Sequence, residues 1–396
     1  MERINLLAPE VRANPYPYYA RMRHSAAVCQ VDPGGIWAVS RYDDIVRVLK
    51  DPTLFSSAGL QVISKHPGLD HNPLADSLLM MDPPAHTKTR ALVSHAFSVS
   101  VLPRIKPLVQ AAAVQAVETI RKGGVIDFCE VLATPIPATA IVELLGLDGS
   151  LRGQMQRWSD HIQSVNPGTS AELIAEIQKT VSAMDSYLGA VIESRRKLRR
   201  DDLVSDLLAA RIDGAALTQT EIMGFLYLLL VAGLETTSHL LGNMMRLLIS
   251  NPGVHDRVRQ KPALIPAFIE EMLRYDPPAH GTIRLSTAEA EVGGVRIPAN
   301  SLVMVLLGSA GRDETKYENP DRFDLDRPKP LSLAFGHGIH FCLGAVLARA
   351  EVQIALEELL KLPGRFEEAT AEQNWNQSLT VRGRVRYPIR YVAGML

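Results

Sequence analysis

The sequence predicts a mainly α protein with a small β region, and three observations carry that prediction. Between 101 and 211 almost every segment repeats its apolar residues at helical spacing. A single helical pattern then runs from Thr218 to Ser250, at about 30 residues long enough to cross a whole domain. Strand-like runs are short and confined to 35–40, to three pieces within 282–307, and to 378–392.

In chain order, 14–24 and 42–50 have helical spacing, and Gly35-Ile36-Trp37-Ala38-Val39-Ser40 between them alternates as a strand does. The segment 56–81 scatters Gly, His, Pro and Ser without a sustained period. It reads as a long irregular loop, and such loops inside compact domains usually serve function; here it is a candidate pocket cover. Asp82-Pro83-Pro84 ends the loop and starts a helix that carries His86 and Arg90 on one face. Helices follow over 101–120, 135–145, 151–164, 171–196 and 202–211, with 125–128 the one strand-like run among them. The basic stretch 195–200 reads as a solvated helix end. Thr218-Gln219-Thr220-Glu221 is a capping-box start for the long helix, and Asn251-Pro252 ends it. A helix over 263–275 precedes strands at 282–285, 292–297 and 302–307, with turns at Gly293-Gly294 and Pro298-Ala299-Asn300. The last helix covers 343–360, and 378–381 with 386–392 reads as a final hairpin. No Pro/Gly/Ser linker or charge block divides the 396 residues, so one domain spanning 1–396 is expected.

Composition excludes several classes of function. With 42 basic and 43 acidic residues the net charge is −1, which points away from nucleic acid or an anionic membrane as partner. The three cysteines, Cys29, Cys129 and Cys342, are too few and odd in number for a disulfide framework and fit a reducing, cytoplasmic compartment. Cys29 and Cys129 read as inert core thiols. The first ten residues lack the apolar core of a signal peptide. The most apolar run, 225–234, is much shorter than the ~20 residues a bilayer span needs. A buried helix, with no membrane span, is the expectation.

The stretch with the densest chemistry is Phe335-Gly336-His337-Gly338-Ile339-His340-Phe341-Cys342-Leu343-Gly344. Its glycines let the backbone curl tightly around one cysteine. A position at a helix start favours thiolate over thiol. Three roles are open to such a cysteine: a buried structural thiol; a zinc ligand with His337 and His340, for which no completing pair stands nearby; or a lone axial thiolate on haem iron. The pattern Phe-Gly-x-Gly-x-His-x-Cys-x-Gly resembles the haem-ligand loop of the cytochrome P450 monooxygenases and matches it at every defined position.

Further motifs stand in the order this resemblance implies. Ala232-Gly233-Leu234-Glu235-Thr236 interrupts the apolar run of the long helix. Read alone, Glu235 faces solvent and Thr236 bonds back to the Ala232 carbonyl. Beside Cys342, the segment is similar to the family's oxygen-binding Ala-Gly-x-Glu/Asp-Thr element, in which a weakened helix opens a local bulge for dioxygen. Glu271 and Arg274 alone make an ordinary exposed i,i+3 pair. In context they resemble the family's Glu-x-x-Arg brace, with Arg322 of Asn319-Pro320-Asp321-Arg322-Phe323 as the candidate third member.

The resemblance, which extends from about 14 to about 392, implies a triangular-prism fold of the soluble bacterial type. Haem b would lie between the 218–250 helix and the Cys342 loop. It implies Cys342 as the axial iron ligand, and His86, Arg90, Arg284 and His340 on the haem propionates. Phe335 and Gly336 would lie on the thiolate side, Ala232 and Gly233 on the other. Thr236 and Glu235 become the alcohol and acid that handle oxygen and protons. Leu228, Val231, Ala279, Thr282 and Leu379, with the 60–81 loop, are candidate pocket residues around a hydrophobic substrate: a terpenoid, steroid, fatty acid or polyketide of secondary metabolism. His280 is either a polar anchor in that pocket or an exposed imidazole. The chain is expected to lack a flavin or nicotinamide domain, so electrons would come from a ferredoxin and its reductase, docked by basic residues such as Lys88, Arg104 and Arg349. A peroxide-using or isomerising haem-thiolate enzyme is the alternative, against which the Glu235–Thr236 pair counts; a non-catalytic haem or zinc module is the distant one.

Overall fold

The computed structural model describes residues 3–63, 68–72, 74–98, 101–164, 169–328 and 332–394. They fall into two units, one made of Met1–Ser56, Gln110–Ile136 and Thr236–Leu396, the other of Ser57–Val109 and Pro137–Glu235.

The first unit holds all the strands among the described residues: β1 (Val28–Val31), β2 (Ile36–Val39), β3 (Phe55–Ser56), β4 (Val125–Asp127), β5 (Thr282–Ser286), β6 (Ala290–Val292), β7 (Val295–Ile297), β8 (Leu302–Val305), β9 (Arg365–Glu368) and β10 (Pro388–Val392). A five-stranded sheet has the order β1-β2-β8-β5-β3. Its centre is buried on both faces, because successive side chains alternate. Ala38 and Met304, paired across β2 and β8, pack with Ile4, Val11 and Met22, while Val39 and Val305 pack with Ile45, Val48 and Leu49.

Two strand expectations change. The run 292–297 is not one strand: Gly293 and Gly294 take φ of +56° and +79° and fold it into the β6–β7 hairpin. The final hairpin is not formed by 378–381 with 386–392. β10 pairs instead with β9 and β4. Residues 378–381 form a turn, since the Ser378 hydroxyl accepts from the amides of Thr380 (3.3 Å) and Val381 (3.2 Å).

Described residues of the second unit are helical apart from their connections. The 56–81 segment contains a short helix, Leu60–Ile63, and a 3-10 turn, Leu78–Met80, while 64–67 and 73 lie outside the described residues. Its base is closed by Asp82, which accepts from the amides of Ser57 (2.9 Å) and Ala58 (3.2 Å). The basic stretch is solvated except for Arg195, which turns inward to Asp202 (2.6 Å) and the Gly146 carbonyl (2.7 Å). Gly146 has φ +61°, and a Cβ there would meet the Asp202 carboxylate at 2.5 Å.

The central helix, Gln219–Ser250, is a single α-helix of 32 residues. Its capping box forms as expected: Thr218 N–H donates to Glu221 Oε2 (2.7 Å) and Glu221 N–H to Thr218 Oγ1 (3.2 Å). By length and composition it is the one helix among the described residues able to cross a membrane, yet 61% of its most apolar window is buried in protein. It is a core helix.

In the first unit, the helix Ile265–Tyr275 carries the brace. Arg274 is fully buried and donates to both Glu271 oxygens, at 2.9 and 2.7 Å. The third cation is Arg327, not Arg322: Arg327 Nε donates to Glu271 Oε1 at 3.1 Å. Arg322 is exposed and offers only its backbone carbonyl, to Arg274 Nη2 at 3.0 Å. The turn begun by Asn319, at φ +46°, carries the chain past Glu271 so that the later arginine reaches it. Removing one partner of a buried pair strands the other charge. Arg327→Ala is therefore expected to destabilise the protein by about 3 kcal/mol and Arg322→Ala by less than ~0.5 kcal/mol, as read from urea unfolding.

Candidate active site

The Cys342 loop is a set of short-range bonds made possible by two left-handed glycines. Gly336 (φ +74°) donates to the Leu333 carbonyl at 2.8 Å, Phe341 to Gly338 at 3.1 Å, and Cys342 to Phe335 at 2.9 Å. At Gly338 (φ +72°) a Cβ would lie 2.6 Å from the Leu49 carbonyl oxygen, so a side chain is excluded by backbone as well as by conformation. The loop leaves Cys342 exposed, and the rings of Phe335 and Phe341 in the same loop lie with their centroids 6.3 Å apart. The cysteine helix is Ala345–Leu359, with Gly344 at its N-cap. It thus starts two residues later than its apolar pattern suggests, and Cys342 precedes the cap.

The central helix presents an incompletely covered stripe. Leu228, Ala232, Glu235 and Thr236 recur at helical spacing and are exposed or half-buried, whereas Leu226, Leu230 and Leu234 are buried. Val231 is also buried, so it faces protein rather than this stripe. The helix stays α through Gly233 and Thr236, without the expected bulge. Gly233 has a packing reason instead: a Cβ would meet Ile141 Cδ1 at 2.8 Å.

One feature escaped the sequence reading. Glu351 on the cysteine helix is buried, and its hydrogen-bond partner is Thr237, the residue after Thr236. Burial pushes its carboxyl up to about 8, against a smaller lowering by Thr237. An acid among Val352, Ile354 and Ala355 on a mostly buried helix is the signal that would have found it.

The remaining candidates divide between the units. In the first, Arg284 is buried on β5 and donates to Thr282 Oγ1 (3.1 Å) and the Ile283 carbonyl (2.8 Å), and His340 stands half-buried two residues before Cys342. Ala279 and Leu379 come from strips held together by an Ala279–Val381 bridge and by His280 N–H to the Thr380 carbonyl (2.8 Å). In the second unit, His86 is buried and Arg90 half-buried on the helix Ala85–Ser98. His280 is buried rather than exposed. Its Nδ1 lies 3.1 Å from the Tyr19 hydroxyl, beside Asp276, and burial holds it down at about 4. Two docking candidates are already spent: Arg104 pairs with Asp206 at 2.7 Å, and Arg349 pairs with Glu270 while its guanidinium lies 4.4 Å over the Phe335 ring. Lys88 is exposed.

The donor set fits a lone axial ligand. Among the described residues no three His, Cys, Asp or Glu side chains converge, which removes the zinc reading of His337, His340 and Cys342. A single exposed sulfur, with Arg284 and His340 in the same unit, suits a flat, dianionic macrocycle bound through iron.

The family profile "Cytochrome P450" matches residues 150–374. Cytochrome P450 109 of Bacillus spizizenii is 37% identical over 387 residues, covering 96% of this chain and 92% of its own. The chain belongs to the cytochrome P450 family. This P450 is also 39% identical to the erythromycin C-12 hydroxylase of Saccharopolyspora erythraea over 357 residues, 87% of this chain and 86% of that one. Its fold matches the structure of CYP109Q5 from Chondromyces apiculatus with a TM-score of 0.91 at 36% identity, over 99% of both chains. The P450 is a monooxygenase whose cofactor is haem b.

The buried carboxyl of Glu351 gives a sign-specific test. Unfolded, it ionises near 4.5; folded, it keeps its proton to about 8. Its contribution is full below the unfolded value and is lost as pH rises through that window. Glu351→Gln is neutral throughout, so the stability of the variant relative to wild type is expected to rise between about pH 5 and 8 in paired urea titrations; parallel pH profiles would refute the assignment.

Proposed function

We propose that the protein inserts one oxygen atom from O2 into a hydrophobic small molecule of secondary metabolism, by hydroxylation or epoxidation, with electrons from a separate ferredoxin and its reductase. The cytoplasm is the compartment that fits this chemistry, and 1–396 acts as one catalytic domain. The observation that carries the reading is the Cys342 loop, whose tight turns leave one sulfur exposed. The kinship with an erythromycin C-12 hydroxylase supports a polyketide-like macrolide ahead of a terpenoid, steroid or fatty acid.

Each role follows from side-chain chemistry. Cys342 Sγ, as thiolate, would hold the haem iron, with Phe335 and Gly336 beside it in the same loop. Arg284, His340, His86 and Arg90 supply the charge-assisted bonds that two buried propionates require. Bound haem supplies oxygen activation and the oxidation itself. Thr236 Oγ1 would donate a hydrogen bond to the bound oxygen, and the Glu235 carboxyl, on the same incompletely covered stripe, would return its proton. Ala232 keeps that stripe free of bulk and Gly233 lets the helix pack against Ile141, while Leu228, Ala279, Thr282 and Leu379 present a mainly apolar surface to the substrate. With Arg104 and Arg349 already paired, Lys88 is the exposed cation among the three docking candidates.

Two variants test the assignments. Cys342→Ser is expected to abolish the thiolate-type absorption of the ferrous carbonyl complex; retention of that absorption would sink the ligand assignment. Thr236→Ala is expected to lose product while oxygen consumption continues with more peroxide formed, a shift that general acid catalysis puts at about 10²- to 10⁴-fold. Unchanged coupling in an oxygen-electrode assay would remove Thr236 from the proton path.

A further inference from the structure

We propose that the first unit carries an accessory binding site for a small organic anion at the C-terminal end of the central helix. It rests on none of the residues assigned to the Cys342 site. A cavity of about 560 Å³ is bounded there by the start of the helix Tyr16–Ser25, by the last turn of the central helix, and by Tyr275, Arg312, Asp321 and Arg382. Arg246, ten residues beyond Thr236, also lines it, about 15 Å further along the helix.

The charge balance selects an anion. Three guanidiniums, of Arg246, Arg312 and Arg382, meet two carboxylates. Asp276 is fully buried and shared by Arg246 (2.5 Å), Arg382 (2.9 Å) and the Tyr16 hydroxyl (2.5 Å). Asp321 pairs with Arg312 at 2.7 Å but is 72% exposed, so it stands at the rim where water screens it. One positive charge is left over. Arg246 Nε is buried without a hydrogen-bond partner, a costly state for a charged donor unless a ligand meets it.

The cations are also held in place. Arg312 is stacked between two aromatic rings, 3.6 Å from the Tyr275 centroid and 4.0 Å from that of Tyr16, and its Nε donates to the Tyr275 carbonyl at 2.8 Å. Arg382 donates to the carbonyls of Arg12 and Ala13, both at 2.8 Å. A guanidinium fork fixed this way binds a carboxylate with little further loss of freedom. The volume far exceeds that of an inorganic anion, and Pro17, Ala20 and Leu247 give the rest of the ligand apolar contacts. A carboxylate on a small aromatic or aliphatic body fits both parts.

The experiment titrates benzoate into the ferric haem-loaded enzyme, followed by calorimetry and by the haem absorption spectrum. Saturable binding of one equivalent in the millimolar range, a raised melting temperature and an unmoved Soret band are expected. Arg246→Gln, which removes the charged fork, should weaken binding by roughly tenfold. Ala20→Phe fills the cavity while leaving every ion pair intact, and should abolish the heat without lowering the melting temperature. Benzyl alcohol, lacking the charge, and inorganic phosphate, lacking the body, should each bind more weakly than benzoate. The proposal falls if no saturable heat appears, if both variants bind as wild type does, or if imidazole displaces the benzoate with a Soret shift. The last result would place the anion at the iron. Since no readout requires turnover, these outcomes are independent of whether the assigned monooxygenase substrate is correct.

Discussion

The contact on which the cysteine loop depends is between two backbones: Gly338 lies so close to the Leu49 carbonyl that no side chain fits. That approach lets the segment double back, so that the Cys342 amide closes onto the Phe335 carbonyl and the sulfur is left outside the fold. The helix carrying Leu49 rests on the five-stranded sheet through Ile45, Val48 and Leu49 itself. Burial of the sheet face thereby sets the position of the loop. The order of causes is apolar packing first, then a tight turn on the packed surface, then a cysteine sulfur held by the turn.

The central helix meets a different demand. Most of its residues satisfy the core, and its interior glycine is accounted for by contact with Ile141 rather than by flexibility. Along one stripe the apolar coat is thin, and there a carboxylic acid and a hydroxyl stand without full burial. A long helix can combine these roles because its faces are independent at 3.6 residues per turn. Behind it, Glu351 is the reverse case, an acid placed in full burial and kept neutral by it.

Charge in the first unit is organised mainly inward. Glu271, Arg274 and Arg327 form one network, and Asp276, Arg246 and Arg382 another. Against the cost of burial, Arg382 and Arg246 hold Asp276 well below the usual carboxylate range. His280, held neutral beside it, adds no second cation. These networks tie segments distant in sequence, such as 12–16 with 276 and 382, which a purely apolar core would leave free to slide.

The sequence by itself determined the mainly α class, most helix bounds, the capping box at Thr218 and the glycine-framed loop around Cys342, because periodicity, caps and glycine spacing are local signals. Its motifs also named the brace helix. Only the tertiary structure decided which arginine completes the brace: Arg322 and Arg327 lie five residues apart, and a left-handed turn at Asn319 selects the later one. Tertiary structure likewise paired β10 with β9 and β4, buried His280, and turned Arg195, Arg104 and Arg349 from free cations into partners of specific acids. Pairing is a property of segments that meet through space, and long polar side chains choose partners only once the backbone has brought those partners within reach.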